Sequence, residues 1–341
     1  MASAPLSLGA PDITLTAPPS IAATAAGDRF FVVGTTNDAS RATVAILVTV
    51  GSGVNGSEPF AVLPGSVPAF DGSNFVVVAP DPSSGLSVQH FDTDGAAIGP
   101  ATTVAVAARP GNADVLSVVS TGGGLALTWR NRDPLPEVHA TLVGDDGTVV
   151  HESVVVPHSV FDPYFGTGPF GALALLGGRT VLLTETIEPG DTVTLSDLGW
   201  AGEAPSTSTF TATEGRFPPS LIVAGDRLLF TAADAQGAMW MYASTLDGSF
   251  SPVWSLPPES IAQSADGCGR VINVARSPLA DPPRRSSIVA QGWAPGSTPV
   301  TLGDHDDTFV PSVAIAPTAT GFGVVWNDAS WTLQFSTITW Q

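Results

Sequence analysis

Lysine is absent from this chain: all twelve basic residues are arginine, they face 31 acidic residues, and the formal net charge is −19. A surface of that sign excludes non-specific nucleic-acid binding, which needs a net basic face. It also disfavours docking on anionic membranes. Strong acidity mainly keeps a chain soluble and monomeric, and a monomer is expected. Cysteine is limited to Cys268, so no internal disulfide can form and cysteine arithmetic leaves the redox compartment open. Long apolar runs are missing. The longest are strand-sized, such as Phe30–Val33, and none reaches a membrane span. The first residues, Met1-Ala2-Ser3-Ala4-Pro5, have neither a basic region nor an apolar one. A secreted or cell-surface chain that has lost its signal peptide begins this way, and that location is expected here.

Several chemistries lack their residues as well. There is no Gly-x-Ser-x-Gly elbow for a nucleophilic serine. Gly122-Gly123-Gly124 reads as a hairpin turn; with no helix after it, it cannot serve as a dinucleotide loop. Zinc ligands of the usual type and spacing are missing. Asp304-His305-Asp306-Asp307 is acidic but contiguous, and neighbours on an extended segment point in opposite directions. No cofactor is expected. Calcium, held by Asp304, Asp306 and Asp307 with backbone carbonyls, is the one metal worth considering.

What is abundant is glycine (36) and proline (30), spread along the whole length in the manner of many short strands and turns. They mark an internal repeat, which is the feature to settle first. The unit is a strand, a tight glycine turn and a second, very apolar strand. Pro68-Ala-Phe-Asp-Gly-Ser-Asn-Phe-Val-Val-Val78 shows it, as do Leu221 to Phe230 and Val313 to Trp326. The glycines Gly27, Gly72, Gly122, Gly177, Gly225, Gly269 and Gly321 recur every 44 to 55 residues, 49 on average. Late in several units an Asp-Gly pair marks a further hairpin, at Asp94-Gly95, Asp146-Gly147 and Asp247-Gly248.

Four antiparallel strands per repeat of this length indicate an all-β, seven-bladed β-propeller in a single domain over 1–341. The blades are expected near 17–63, 64–107, 108–157, 158–214, 215–259, 260–307 and 308–341. The last unit has only three strands, near Val313–Ala316, Phe322–Trp326 and Leu333–Thr339. Residues 5–16 precede the first repeat and supply Leu6, Leu8, Ile13 and Leu15. Placed on the outer edge of the last blade, they complete it and close the ring.

The units resemble the Pro-x-Val-Ala-x-x-Gly-x-x-Phe-x-Val-Val-Trp repeats of secreted bacterial propellers. The likeness is carried most closely by Asp71 to Val78 and by Gly323-Val324-Val325-Trp326-Asn327-Asp328. Such scaffolds include lectins and sialidase-like enzymes. The lectin likeness implies sugar pockets between blades but transfers no residues. The sialidase likeness is weaker: Ser264 to Val271 approaches that family's Asp-box but has Cys268 where glycine should stand and ends in Val271.

The blade register sorts the loops into two faces. Turns between first and second strands lie below, and Arg29, Arg179, Arg227 and Arg270 there read as solvated turn charges. The other eight arginines fall in or beside top-face loops, joined by many carboxylates. Arginine forks suit carboxylates, phosphates and sugars. The candidate ligand residues are therefore Arg109, Arg130, His158, Asp162, Tyr164, Arg216, Arg276 and His305. The expected function is binding of a glycan or other polar or anionic ligand. The alternative is a glycoside hydrolase or lyase using top-face carboxylates, and nothing in the sequence selects a catalytic pair. One deep central pocket with convergent carboxylates and arginines would favour the enzyme, and several similar shallow pockets related by the blade symmetry a lectin, although the loops of this repeat diverge and do not share ligand residues.

Overall fold

The computed structural model describes residues 2–8, 19–24, 26–36, 40, 42–81, 83, 85–106, 113–131, 137–156, 170–186, 192–202, 205–211, 220–234, 238–244, 249–257, 259–278, 285–293, 297–306, 312–328 and 332–339. They form seven antiparallel sheets and no helix. An N-terminal strand, β1 (Leu6–Leu8), precedes the first blade. Blade one holds β2 (Ser20–Ala23), β3 (Arg29–Thr35), β4 (Thr43–Val50) and an outer edge split into β5 (Val54–Gly56) and β6 (Phe60–Ala61). Blade two holds β7 (Val67–Phe70), β8 (Phe75–Asp81), β9 (Gly85–Phe91) and β10 (Ala97–Ala105). Blade three holds β11 (Ala113–Ser120), β12 (Gly124–Asn131), β13 (Glu137–Gly144) and β14 (Val149–Val156). Blade four holds β15 (Phe170–Leu176), β16 (Arg179–Thr186), β17 (Thr192–Asp197) and β18 (Ser206–Thr211). Blade five holds β19 (Leu221–Ala224), β20 (Arg227–Ala233), β21 (Met239–Ser244) and β22 (Phe250–Ser255). Blade six holds β23 (Ser260–Ala265), β24 (Val271–Pro278), β25 (Arg285–Gly292) and β26 (Val300–Asp306). Blade seven holds β27 (Val313–Pro317), β28 (Gly321–Asn327) and β29 (Leu333–Thr339), with β1 as its fourth strand.

The innermost strands β2, β7, β11, β15, β19, β23 and β27 each contact the next around a ring, and β27 returns to β2. This is the seven-bladed propeller the repeat predicts. Closure uses the N-terminal strand: Leu6 pairs with Phe335, Ser7 with Gln334 and Leu8 with Leu333. The paired strand is three residues long, and residues 9–18 lie outside the described set.

The very apolar second strands follow from this arrangement. Side chains alternate across a strand, and each blade is covered on both faces. Phe30 and Val32 face blade seven, whereas Phe31 and Val33 face blade two. Seven hydrophobic clusters result, one at each interface between neighbouring blades.

Six of the seven repeat glycines sit in turns with positive φ, from 58° at Gly177 to 102° at Gly72. The seventh does something else. Gly321 begins β28, and a Cβ there would run into the carbonyl oxygen of Ile338 on the facing strand. The turn in that blade is Thr318-Ala319-Thr320, closed by the Thr318 amide on the Gly321 carbonyl at 2.9 Å.

The lower-face arginines correct the expectation of solvated charges. Arg29 donates to the Thr93 carbonyl at 2.7 Å and pairs with Asp94, so blade one is clamped to blade two. Arg270 pairs with Asp266 at 2.6 Å and donates to the Thr320 carbonyl of blade seven at 2.7 Å. Arg179 pairs with the buried Asp197 in its own blade. Only Arg227 fits the simpler picture, exposed at the start of β20. Cys268 is exposed in the same turn as Arg270, with Sγ 3.3 Å from the Ala319 carbonyl. A serine can keep that contact. Cys268→Ser is expected to change unfolding free energy by no more than about 0.5 kcal/mol. Denaturant titration checks it, and a loss several times larger would make the thiol a structural part of the blade six–seven contact.

Candidate functional site

Each second strand ends on the top face, and the two described arginine candidates stand there. Arg130 is directly opposite Asp114 across β11 and β12. Its Nη2 lies 2.9 Å from Asp114 Oδ2. Arg276 does the same in blade six, holding Glu259 Oε2 through Nε at 3.0 Å and Nη2 at 2.6 Å. Arg130 thus ties β11 to β12, and Arg276 ties β24 to the residue just before β23. Arg109, His158, Asp162, Tyr164 and Arg216 lie outside the described residues, and His305 is placed on β26 by its backbone alone.

The described residues bring a different set together. A cavity of about 360 Å³ opens between blades two and three on the lower face. Its floor is apolar, built from Val76, Val88, Leu125 and Val143, all buried. Its walls are polar: Asp71, Ser73 and Asn74 from the turn between β7 and β8, His90 from β9, and Asp145 and Asp146 from the turn between β13 and β14.

Three local features shape this cleft. The register of β10 against β9 shifts between Ile98 and Thr102, where Gly99 has φ 72° and Pro100 follows. A bulge bends the outer strand away from its neighbour. The facing turn is Gly122-Gly123-Gly124, and a Cβ at Gly122 or Gly123 would meet nothing within 4 Å. At the outer end Gly147 closes on β10, since a Cβ there would stand 3.0 Å from Thr102 Cγ2.

Two of the three wall carboxylates, those of Asp71 and Asp146, are each held through one oxygen. Asp71 Oδ1 accepts the amides of Ser73 and Asn74, both at 2.7 Å. Asp146 Oδ1 accepts the Thr148 hydroxyl at 2.6 Å and its amide at 2.9 Å. No described hydrogen bond uses the second oxygen of either. The Thr148 hydroxyl first, and then its amide, hold the Asp146 carboxyl below the usual aspartate value. Its charge therefore persists to lower pH than an ordinary aspartate's, and is lost only as pH falls through that depressed value. Among the described lining residues histidine is the only type that can carry positive charge, so an anion is disfavoured.

A second cleft of about 310 Å³ lies between blades six and seven, lined by Pro5, Leu302, Gly303, Asp304, Trp326, Asp328 and Gln334. Asp304, one of the calcium candidates, is exposed here and accepts from the Ser287 hydroxyl at 3.4 Å. The side chains of Asp306 and Asp307 are outside the description. Among the described residues no three His, Cys, Asp or Glu side chains gather at one point where a metal could sit.

No protein-family model and no curated protein sequence matches the chain. Solved structures do match over nearly the full length. The lectin BP39L from Burkholderia pseudomallei superposes with a TM-score of 0.61 at 11% identity, covering 96% of both chains. The likeness is one of fold alone. The β-propeller domain of the Trilobed protease from Pyrococcus furiosus gives a TM-score of 0.59 at 10% identity, covering 93% of this chain and 94% of that one. The periplasmic gluconolactonase PpgL from Pseudomonas aeruginosa gives 0.53 at 15%, covering 90% and 95%. A lectin and a gluconolactonase thus share this fold.

None of the candidate ligand residues expected on the top-face loops is among the described lining of the blade two–three cleft. A signal was present: Asp71-Gly-Ser-Asn74 and Asp145-Asp-Gly147 are both rich in side-chain acceptors, and the register puts both turns below. The equivalent turn of blade four, Leu176-Gly177-Gly178-Arg179, carries none.

Proposed function

We propose that this propeller is a binding protein that takes an uncharged, polyhydroxylated ligand, such as a glycan terminus, in the cleft between blades two and three. The observation that carries this reading is the lining of that cleft. Both described clefts sit between adjacent blades, and they differ in lining and face. The blade two–three cleft combines side-chain acceptors and donors with an apolar floor. A sugar matches such a lining, because its hydroxyls donate to carboxylates and its C–H faces cover apolar carbons. That a lectin uses the same fold supports the reading. The setting we propose is secreted or at the cell surface, with the chain acting as a monomer.

A glycan array run beside a glycosidase and lyase panel tests this. The wild type is expected to bind a neutral glycan and turn over none. The double variant Asn74→Ala, His90→Ala is expected to lose at least tenfold in affinity, since each neutral hydrogen bond contributes about 1 kcal/mol. A glycan bound equally well by the double variant, or turnover by the wild type, overturns the proposal.

A further inference from the structure

Glycine follows an asparagine at one place in the chain, Asn55-Gly56. In such a pair the backbone nitrogen of the glycine can attack the side-chain amide carbon of the asparagine. No side chain on the glycine obstructs the approach, and its backbone turns freely. A folded protein permits the reaction where the amide is not held, the nitrogen is not bonded and the backbone is able to turn.

Asn55 meets these conditions. It is the middle residue of β5, the three-residue outermost strand of the blade one sheet, and both Asn55 and Gly56 are exposed. No described hydrogen bond engages the Asn55 side chain. The sheet register sets the direction of the Gly56 nitrogen. Ser57 donates its amide to the Leu47 carbonyl at 2.8 Å, and bonded and unbonded pairs alternate along an antiparallel ladder. Gly56 faces Val48 in the next pair, so its N–H points outward, away from β4, to the side on which β5 has no paired strand. A short edge strand, paired on one side, opens at small cost. The other described asparagines differ. Asn131, Asn273 and Asn327 are buried, and Asn74 precedes Phe75, with its amide N–H held by Asp71 at 2.7 Å.

The position also matters to the ring. Gly56 backs onto the strand that closes it: a Cβ on Gly56 would stand 3.5 Å from Leu8 Cδ2 and 3.9 Å from Leu6 Cδ2.

We infer that Asn55-Gly56 is a self-modification site, at which the folded chain converts asparagine to aspartate and isoaspartate and so loosens its own ring closure. The Gly56 nitrogen bonds to Asn55 Cγ, the Cγ–Nδ2 bond breaks, and Nδ2 leaves as ammonia with the proton from Gly56. Water then opens the cyclic imide. Cleavage of the bond to Cγ gives aspartate, and cleavage of the bond to the main-chain carbonyl gives isoaspartate. Isoaspartate carries an extra carbon in the main chain. That displaces Gly56 from Val48 and Ser57 from Leu47, and draws Gly56 off Leu6 and Leu8. Aspartate adds a negative charge and leaves the main chain as it was.

Peptide mapping by mass spectrometry tests this on the full chain, held folded in mildly alkaline buffer beside the same chain in urea. Asn55 is expected to be the first asparagine of the folded chain to gain the aspartate mass, with isoaspartate as the major product. Gly56→Ala is expected to slow the reaction severalfold; its Cβ meets only ordinary contacts, so the variant folds. Aged wild type is expected to unfold at lower urea in proportion to its isoaspartate content, whereas Asn55→Asp keeps the midpoint of fresh wild type. The inference is overturned if Asn55 keeps its amide in the folded chain while losing it in urea, or if another asparagine reacts first. It is equally overturned if Gly56→Ala reacts as fast, or if the isoaspartate form unfolds at the midpoint of fresh protein.

Discussion

Deleting residues 2–8 is expected to leave a chain that is aggregated or unfolded under conditions where the intact protein is stable. Leu8 is 1% exposed and sits in one cluster with Phe30, Val32, Ile46 and Val48 of blade one and Val325, Leu333 and Phe335 of blade seven. It is a wedge between the two blades at which the ring is joined. The same segment supplies the pairing of β1 to β29, an isolated bridge between Ala2 and Ile338, a hydrogen bond from the Ser3 amide to the Thr337 carbonyl, and acceptors on Ser3 for the Ser336 hydroxyl and the Thr337 amide. Without it β29 becomes an open edge. The point variant Leu8→Ala grades the effect. Truncating a fully buried leucine costs about 2–5 kcal/mol, a large share of the roughly 5–15 kcal/mol that holds a typical domain folded. Leu6→Ala should cost less, because Leu6 is only half-buried. Urea titration of the three proteins measures this, and a deletion variant with an unchanged midpoint would mean that the ring does not depend on this strand.

Closure was legible in the sequence because a missing strand at one end and a spare one at the other can be counted. Blade number was legible for a similar reason: a positive-φ glycine before an apolar run recurs whenever a hairpin leads into a strand covered on both faces. Gly321 shows the limit of that reading, since it keeps the spacing while answering to a facing carbonyl instead of a turn. Contacts between blades left no trace in the pattern. Arg29 finds Asp94 across 65 positions, and Arg270 finds Thr320 across 50. Nothing local distinguishes a clamp from a solvated charge. Arg130 and Arg276 read as residues in or beside top-face loops; they stand on β12 and β24, and their partners Asp114 on β11 and Glu259 just before β23 are brought opposite them by a register that only the folded sheet sets. The blade two–three cleft depends on a bulge at Gly99-Pro100 and on side chains absent at Gly122 and Gly123, and a search for reactive residues passes over such absences.

Gly323→Ala tests how tightly the ring is packed where it closes, and the sign of its effect decides the matter. Glycine inside a strand is normally the weaker choice, by roughly 0.5–1 kcal/mol against alanine. With room to spare, the substitution would therefore stabilise. Gly323 has no such room. It lies on the same face of β28 as Val325, toward blade one, and a Cβ there would overlap the Phe30 ring at Cε1 and Cδ1. Phe30 is 1% exposed and already packs on Phe335 with ring centroids 5.0 Å apart, so it has no free direction in which to yield. Gly323→Ala is expected to destabilise by about 1–3 kcal/mol, as overpacking a filled core does. Gly323→Val should cost more, since its two further methyl groups enter the same volume. The cause is isolated by a double-mutant cycle. Phe30→Leu alone should also destabilise, through the cavity it leaves, yet in the Gly323→Ala background it should cost less or even restore stability. The expected coupling is about 0.5–3 kcal/mol, the range for residues in contact. Additive effects in denaturant titration, or a Gly323→Ala protein more stable than the wild type, would show that Phe30 does not seat on Gly323 and that the blade seven–one interface closes some other way.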